Sequence, residues 1–261
     1  MQLAAAPLPR GEIPAVESSA WPAFLTACVR EAFARARAAQ EVPKRARGAG
    51  ADAVQCGAAP SASAGRLHRA QWHTRASRHA VPYDAFVRGL FEEHTRHEQE
   101  YIESLERVTC LESLGAHVGV WQNEYRLPPL TANRDFVELV FCIPLPPHAE
   151  PFSEAHEARA VEAAPWRPGA PPVPAPAAGE RRAFLVLSQP VAHAPTPGYV
   201  RAYYASVEAV AECGDGATEW MMTVQTDSAG WVPLFLQEWM MPAKIAEDVP
   251  SFLAWVRRGA T

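Results

Sequence analysis

The chain has 261 residues, a formal net charge of −5 and hydrophobic content of 48%, enough for one large domain or two small ones with an ordinary core. No one-signed charge block occupies the stretches that read as folded, which excludes nucleic acid as a partner. No run reaches the roughly 18 apolar residues of a membrane span. The five cysteines, odd in number and without a C-x-x-C pair, read as buried free thiols rather than disulfides or a zinc site. The opening MQLAAAPLPRGEIP has too short an apolar region for a secretory signal, so the expected compartment is the cytoplasm.

In chain order, residues 1 to 19 read as unstructured. SAWPAFLTACVREAFARARAAQ then reads as a helix, with Ser19 as a cap and Pro22 in the first turn. Trp21, Phe24, Leu25, Cys28, Val29, Ala32 and Phe33 form one apolar stripe, suited to docking on a main domain. An Arg-bearing amphipathic segment also fits a presequence or a membrane-surface helix, but Glu17 and Glu31 count against a presequence. Residues 1–41 are thus an N-terminal segment with an amphipathic helix. From Val42 to Arg69, Gly, Ala, Ser and Pro without periodicity predict a flexible linker.

The main domain is expected over 70–258. QWHTRASRHA (71–80) alternates as a strand, and Pro82 opens a helix carried by Tyr83, Phe86, Val87, Leu90, Phe91, Ile102 and Leu105. Strand-like runs follow at 108–114, 116–127, 134–143, 182–190, 199–212 and 218–226, with hairpin turns near Gly115 and at GDG (214–216). A proline-rich loop (164–180) interrupts them on the surface. Consecutive strands without intervening helices predict a mostly antiparallel sheet and an α+β class.

TDSAGWVPLFLQEWMMPAK (226–244) opens the last helix, 231–258, and is apolar on nearly every side through Trp231, Val232, Leu234, Phe235, Leu236 and Trp239 to Met241. Such a segment must be surrounded, which a curved sheet wrapping the helix would do. That arrangement leaves either a filled core or a space fit for an apolar ligand. Pro233 suits the first turn, while Pro242 predicts a kink or break. Beyond it Ile245, Val249, Phe252, Leu253 and Val256 share one face, and Lys244, Glu247, Asp248, Arg257 and Arg258 are expected to stay wet. The first half therefore reads as buried on several sides and the second as a one-sided lid.

NRDFVELVF (133–141), PGYVRAYYASVEAV (197–210) and TEWMMTVQTDSAGWVPLFL (218–236) stand in an order and spacing that resemble the landmarks of START lipid-transfer domains. WHTRASRH, EQEYIESL and VWQNEYRLP are similar to a fungal START-like family of unassigned function, the resemblance covering about residues 70–258. It implies a helix-grip fold, a curved antiparallel sheet around a long C-terminal helix, with a hydrophobic tunnel lidded by that helix. It also implies a non-enzymatic carrier or sensor of a lipid or sterol, with transient membrane-surface contact. Sterol-carrying members often place an Arg six residues after the R-D-F arginine. Val140 stands there instead, which implies a more apolar tunnel.

The expected ligand-binding residues are Trp121, Phe136, Val140, Tyr203, Trp220 and Met222 on strands and Phe235, Ile245, Phe252 and Val256 on the last helix. Arg134, Asp135 and Asp227 read as structural: the first two pin a strand end from opposite faces, and Asp227 shapes the turn into the helix. His94, His97 and Glu98 share a helix face with metal-ligand spacing, but lack the H-E-x-x-H order and read as solvated. Neither a G-x-S-x-G elbow, a P-loop nor a G-x-G-x-x-G is present, so no cofactor or catalytic residue is assigned. The alternative is a helix-grip enzyme of polyketide cyclase-like type, which would need a titratable cluster facing the tunnel; Glu138, Tyr203 and Glu219 are its candidates.

Overall fold

The structure, a computed structural model, describes residues 2–47, 53–61, 70–128, 131–230 and 233–259. Among them one curved sheet follows the order β1–β2–β3–β10–β9–β7–β6–β5–β4, with a short β8 beside β6. The strands are β1 (Arg45–Arg47), β2 (Val54–Pro60), β3 (Gln71–His79), β4 (Leu105–Gly115), β5 (Val118–Tyr125), β6 (Arg134–Pro144), β7 (Ala183–Pro190), β8 (Val200–Arg201), β9 (Tyr203–Glu212) and β10 (Thr218–Asp227). Every pairing is antiparallel except β6–β8. The long C-terminal helix α5 (Leu234–Gly259) lies on the concave side against β2 and β3, so the fold is the helix grip.

The convex side is closed by α1 (Trp21–Glu41) and α4 (Glu154–Ala163). The α1 stripe of Trp21, Leu25, Cys28, Val29, Ala32 and Phe33 is buried against Val137, Leu139, Leu185, Val207 and Ala209. Those strand residues are separated by two, the period that puts them on one sheet face. On the concave side α2 (Tyr83–Phe86) runs into a π turn (Val87–Phe91), and α3 (His94–Tyr101) follows after a left-handed Glu93. These elements and the end of α5 bury Phe86, Leu90, Val140, Phe184, Trp220 and Phe252. Gly89 permits that approach: a Cβ there would stand 2.4 Å from a Phe252 ring carbon.

Four readings of the sequence are corrected here. Residues 3–13 are not loose: Leu3, Ala5 and Ile13 are buried, and the Ala5 amide donates to Gln225 Oε1 at 3.0 Å. Part of the supposed linker forms β1 and β2, the latter paired to β3 from Gln55 to Pro60. An edge strand gains its order from main-chain hydrogen bonds, which leave no mark in side-chain periodicity; residues 48–52 and 62–69 lie outside the described residues. The helix expected over 82–107 divides at Glu93, and 105–107 already belong to β4. The last helix is continuous through Pro242 and Pro250 rather than broken, and its opening Trp231 and Val232 lie outside the described residues.

Candidate functional site

Register assigns the concave face. Trp121 stands opposite Glu138, Asn123 opposite Phe136, and Tyr125 opposite Arg134. Across the sheet Val140 faces Ser188, Ser188 faces Ser206, and Glu208 faces Met222. The main packing of α5 is on β2, β3 and α3. Among the described residues, the stretch of β5, β6 and β9 carrying Asn123, Phe136, Glu138 and Tyr204 is thus not covered by the body of that helix. Trp121, Tyr125, Phe136, Tyr204 and Met222 each keep partial accessibility on this inward face. Burial nevertheless holds the Tyr125 and Tyr204 hydroxyls well above the usual phenol range. These partly accessible aromatic and thioether side chains, with the enclosed Asn123 and Glu138 among them, mark the part of the concave face where a ligand could be received. Two depressions, about 480 Å³ between α1 and α4 and about 470 Å³ beside Gln40 and Met221, lie on the convex side.

Two polar clusters line the concave side. Below α3 and α5, Glu208 Oε2 accepts from the Trp220 indole at 2.6 Å and lies 3.6 Å from the Arg75 guanidinium, which stacks 3.7 Å above the Trp220 ring. His94 Nδ1 donates to the Leu90 carbonyl, and its Nε2 is 3.6 Å from Glu98. Burial pushes Glu98 up to about 7 and Asp248 up to about 6; His94 and Arg75 respectively oppose the shift. The second cluster is Glu138 and Asn123, both wholly buried, with no hydrogen-bond partner for either carboxylate oxygen or either amide atom.

His94, Glu98 and Glu208 bring ligand atoms within 4.8 Å of one another. Arg75 beside Glu208 already supplies the positive charge that a metal would bring. His97 belongs elsewhere, bonding Glu92 O and packing on Trp255. The helix face read as solvated is therefore inward at His94 and Glu98, because α5 covers it. Asp248, expected wet, is only partly accessible because its helix packs against α3.

Of the residues expected at the ligand, Trp121, Phe136, Val140, Trp220 and Met222 share the concave face, with Val140 and Trp220 inside packed core. Ile245 and Phe252 are buried and Val256 packs against the same core. Tyr203 is on the opposite face, in phase with Ala205, Val207 and Ala209. Its neighbour Tyr204 points inward instead, because β8 and the Ala202 junction set the parity of β9. Phe235 is 76% exposed, so it does not line the interior. Of the titratable candidates only Glu138 is interior, since Glu219 is exposed. Arg75, Glu98, Asn123, Glu208 and Asp248 escaped sequence reasoning; the alternation of β5 and β9 held the signal for Asn123 and Glu208. The interior is correspondingly more polar than Val140 alone implied.

The structural residues have definite partners. Arg134 donates to Ser228 O at 3.0 Å and to Ala132 O, joining β6 to the loop before α5. Asp135 accepts from Arg201 at 3.0 and 2.6 Å and from Thr196. Asp227 accepts the Ala229 amide at 2.9 Å, turning the chain toward α5.

A curved antiparallel sheet gripping a C-terminal helix is the START-like helix-grip fold. Human StAR-related lipid transfer protein 5 superposes with a TM-score of 0.67 over 94% of this chain and 100% of its own, at 13% identity. Human STARD10 does so with 0.58 over 88% and 82%, at 14% identity, and the human StarD13 (DLC2) lipid transfer and protein localization domain with 0.52 over 84% and 94%, at 15%. No curated protein sequence matches. The chain belongs to the family described as "Protein of unknown function (DUF3074)", which matches residues 72–256.

Proposed function

We propose that the chain binds one lipid or other hydrophobic small molecule in the concave hollow, and carries or senses it at membrane surfaces, with α5 as the gate. The observation that carries this reading is the division of α5. Its second half buries Ile245, Val249, Phe252 and Leu253, whereas its first half turns Phe235, Leu236, Trp239 and Met240 to solvent beside the hollow. A contiguous apolar stripe on a soluble surface marks a place that meets another apolar phase, and Trp suits a bilayer interface. The first half is held to the sheet by side-chain bonds: His73 to Glu238 at 2.6 Å, and the Ser228 amide to Gln237 at 2.9 Å. Side-chain bonds of this kind, with Glu238 also accepting from the Gln71 amide, suit an element that must move for entry. No helix among the described residues is long and apolar enough to cross a membrane.

The test is transfer of a fluorescent lipid between donor and acceptor vesicles, together with mass spectrometry of whatever co-purifies. Catalysed transfer and a stoichiometric lipid are expected; an empty protein that moves no lipid overturns the proposal. A second reading, an enzyme of polyketide cyclase-like type, draws on Glu98 and Asp248, whose near-neutral values suit acid–base work. It requires that the bound molecule be recovered chemically changed.

A further inference from the structure

Glu138 and Asn123 are wholly buried polar side chains without a well-formed hydrogen bond. Among the described residues, the Tyr204 amide is the one backbone group that approaches the Glu138 carboxylate. Native interiors satisfy nearly all such groups, and an exception asks for a ligand. Arg75 by contrast rests on Trp220 and Glu208, and His73 on Glu238. Trp121 is opposite Glu138 and Phe136 opposite Asn123, so the pair are diagonal neighbours on one face. Their surroundings are aromatic: Phe136 meets Tyr125 at 5.4 Å and Tyr204 at 5.3 Å, both edge to face.

We propose that the head recognised here is a primary ammonium on a long apolar chain, donating to both Glu138 oxygens and to Asn123 Oδ1. The inference rests on the reading of the hollow as a hydrophobic-ligand site and names its substrate class. Three acceptors match the three N–H donors of a primary ammonium. An alcohol brings one donor and no charge. A quaternary ammonium brings charge but no donor, and a carboxylate would face Glu98 as well as Glu138. Aromatic faces around the pair add attraction for a cation and none for a neutral head.

The proton balance gives the proposal a separate signature. Burial holds the Glu138 carboxyl well above the ordinary carboxylate range, with the Tyr204 amide and Arg201 opposing and Glu98 adding to the rise. Around the hollow stand Glu98 on α3, Tyr125 on β5, Tyr204 on β9 and Asp248 on α5, with Arg201 on β8 acting through the sheet. Enclosure thus favours the acid form in the empty site, and an entering cation favours the carboxylate. When an ammonium enters, the carboxyl O–H bond breaks, its proton passes to buffer, and the carboxylate pairs with the cation. Binding should release up to about one proton.

The experiment is titration of the full chain with dodecylamine, dodecanol and dodecyltrimethylammonium at pH 7, in buffers of different ionisation heat. Dodecylamine should bind roughly tenfold or more tighter than the other two and release a proton. Glu138→Gln should weaken it by about tenfold or more while leaving dodecanol nearly unchanged. Asn123→Leu should lower the amine preference in the same direction, and it decides the matter if Glu138→Gln does not fold. Equal affinity for amine and alcohol overturns the amine head but leaves the hydrophobic site standing. If none of the three binds, both readings fall.

Discussion

The two faces of the sheet follow opposite rules. The convex face presents Val137, Leu139, Leu185, Val207 and Ala209 to the apolar stripe of α1, and contact there is continuous. The concave face interleaves Val140 and Val186 with Glu138, Asn123, Ser188 and Glu208, and is only partly covered. Strands that could have been apolar on both sides are polar where a ligand is proposed. Under the proposed function the convex face serves stability alone. The concave face divides between the core around Trp220 and Phe252 and recognition, as expected where a site breaks the local rules of a core. Truncation on the convex side should therefore be the costliest change. Phe33, fully buried and edge-to-face with His156 at 5.4 Å, should lose about 3–5 kcal/mol on replacement by Ala. Denaturant melts should show that loss while the remaining folded protein keeps its ligand affinity; a loss of affinity without a loss of stability would erase the division.

Arg134 sits where the two faces are joined. Its bonds to Ser228 O and Ala132 O fix the start of β6 and the approach to α5. Charged hydrogen bonds of this kind are worth about 1.5–3 kcal/mol each when a buried partner is stranded. Arg134→Ala should cost about that much in chemical denaturation. Unchanged stability with lost turnover on some substrate would instead favour the enzyme reading.

What the sequence made legible follows the same division. Periodicity found α1, the strands of the main sheet and α5, because each buries a regular face. It missed β2, whose order comes from main-chain pairing, and the division of the 82–107 helix at Glu93, which turns on one left-handed residue. Inward strand residues were found where a run is unbroken, as at Phe136, Val140 and Met222, and lost at Tyr203, where the β8 junction shifts the phase. The polar interior was hidden for another reason. Glu98, Glu208 and Asp248 are charged residues on three separate elements, and nothing local in a sequence tells an enclosed acid from a solvated one.

Acidity separates the faces again. On the convex side burial pushes Asp135 up, but hydrogen bonds from Arg201 and Thr196 outweigh it and hold the carboxyl below its usual value. Its stabilising contribution is present above about pH 3.9 and is lost as pH falls through the lower folded value. Glu98 behaves in reverse. Its folded value of about 7 lies above the unfolded value of about 4.3, so between them the unfolded chain holds fewer protons and stability falls as pH rises. Asp248, at about 6, adds to that fall. Thermal melts should give a higher Tm near pH 5 than near pH 7.5, and Glu98→Gln should narrow the gap. His156, held down to about 4 by burial, opposes this fall. The deciding quantity is therefore the Glu98→Gln difference: a gap left unchanged by that substitution would place Glu98 in water.

The smallest effect on stability, and the sharpest on function, is expected within α5. Sequence reasoning took the first half as enclosed and the second as the movable lid; the exposures are the other way round. Phe235 and Trp239, one turn apart, are each 76% exposed, while Val249 and Phe252 are fully buried. Hydropathy shows that a side chain is better out of water, but not whether protein, ligand or membrane takes it up. Because Trp239 has few protein contacts to lose, Trp239→Ser should change stability by no more than about 0.5 kcal/mol. Without its indole the first turns of α5 have less apolar surface to place in a bilayer interface, so association with lipid vesicles and the rate of lipid transfer should both drop. Amide hydrogens of residues 235–241 should exchange faster than those of 245–253 in the free protein and slow on vesicle binding. If Trp239→Ser destabilises the fold by several kcal/mol, the stripe is core. If it leaves both stability and vesicle association untouched, the membrane contact lies on another surface.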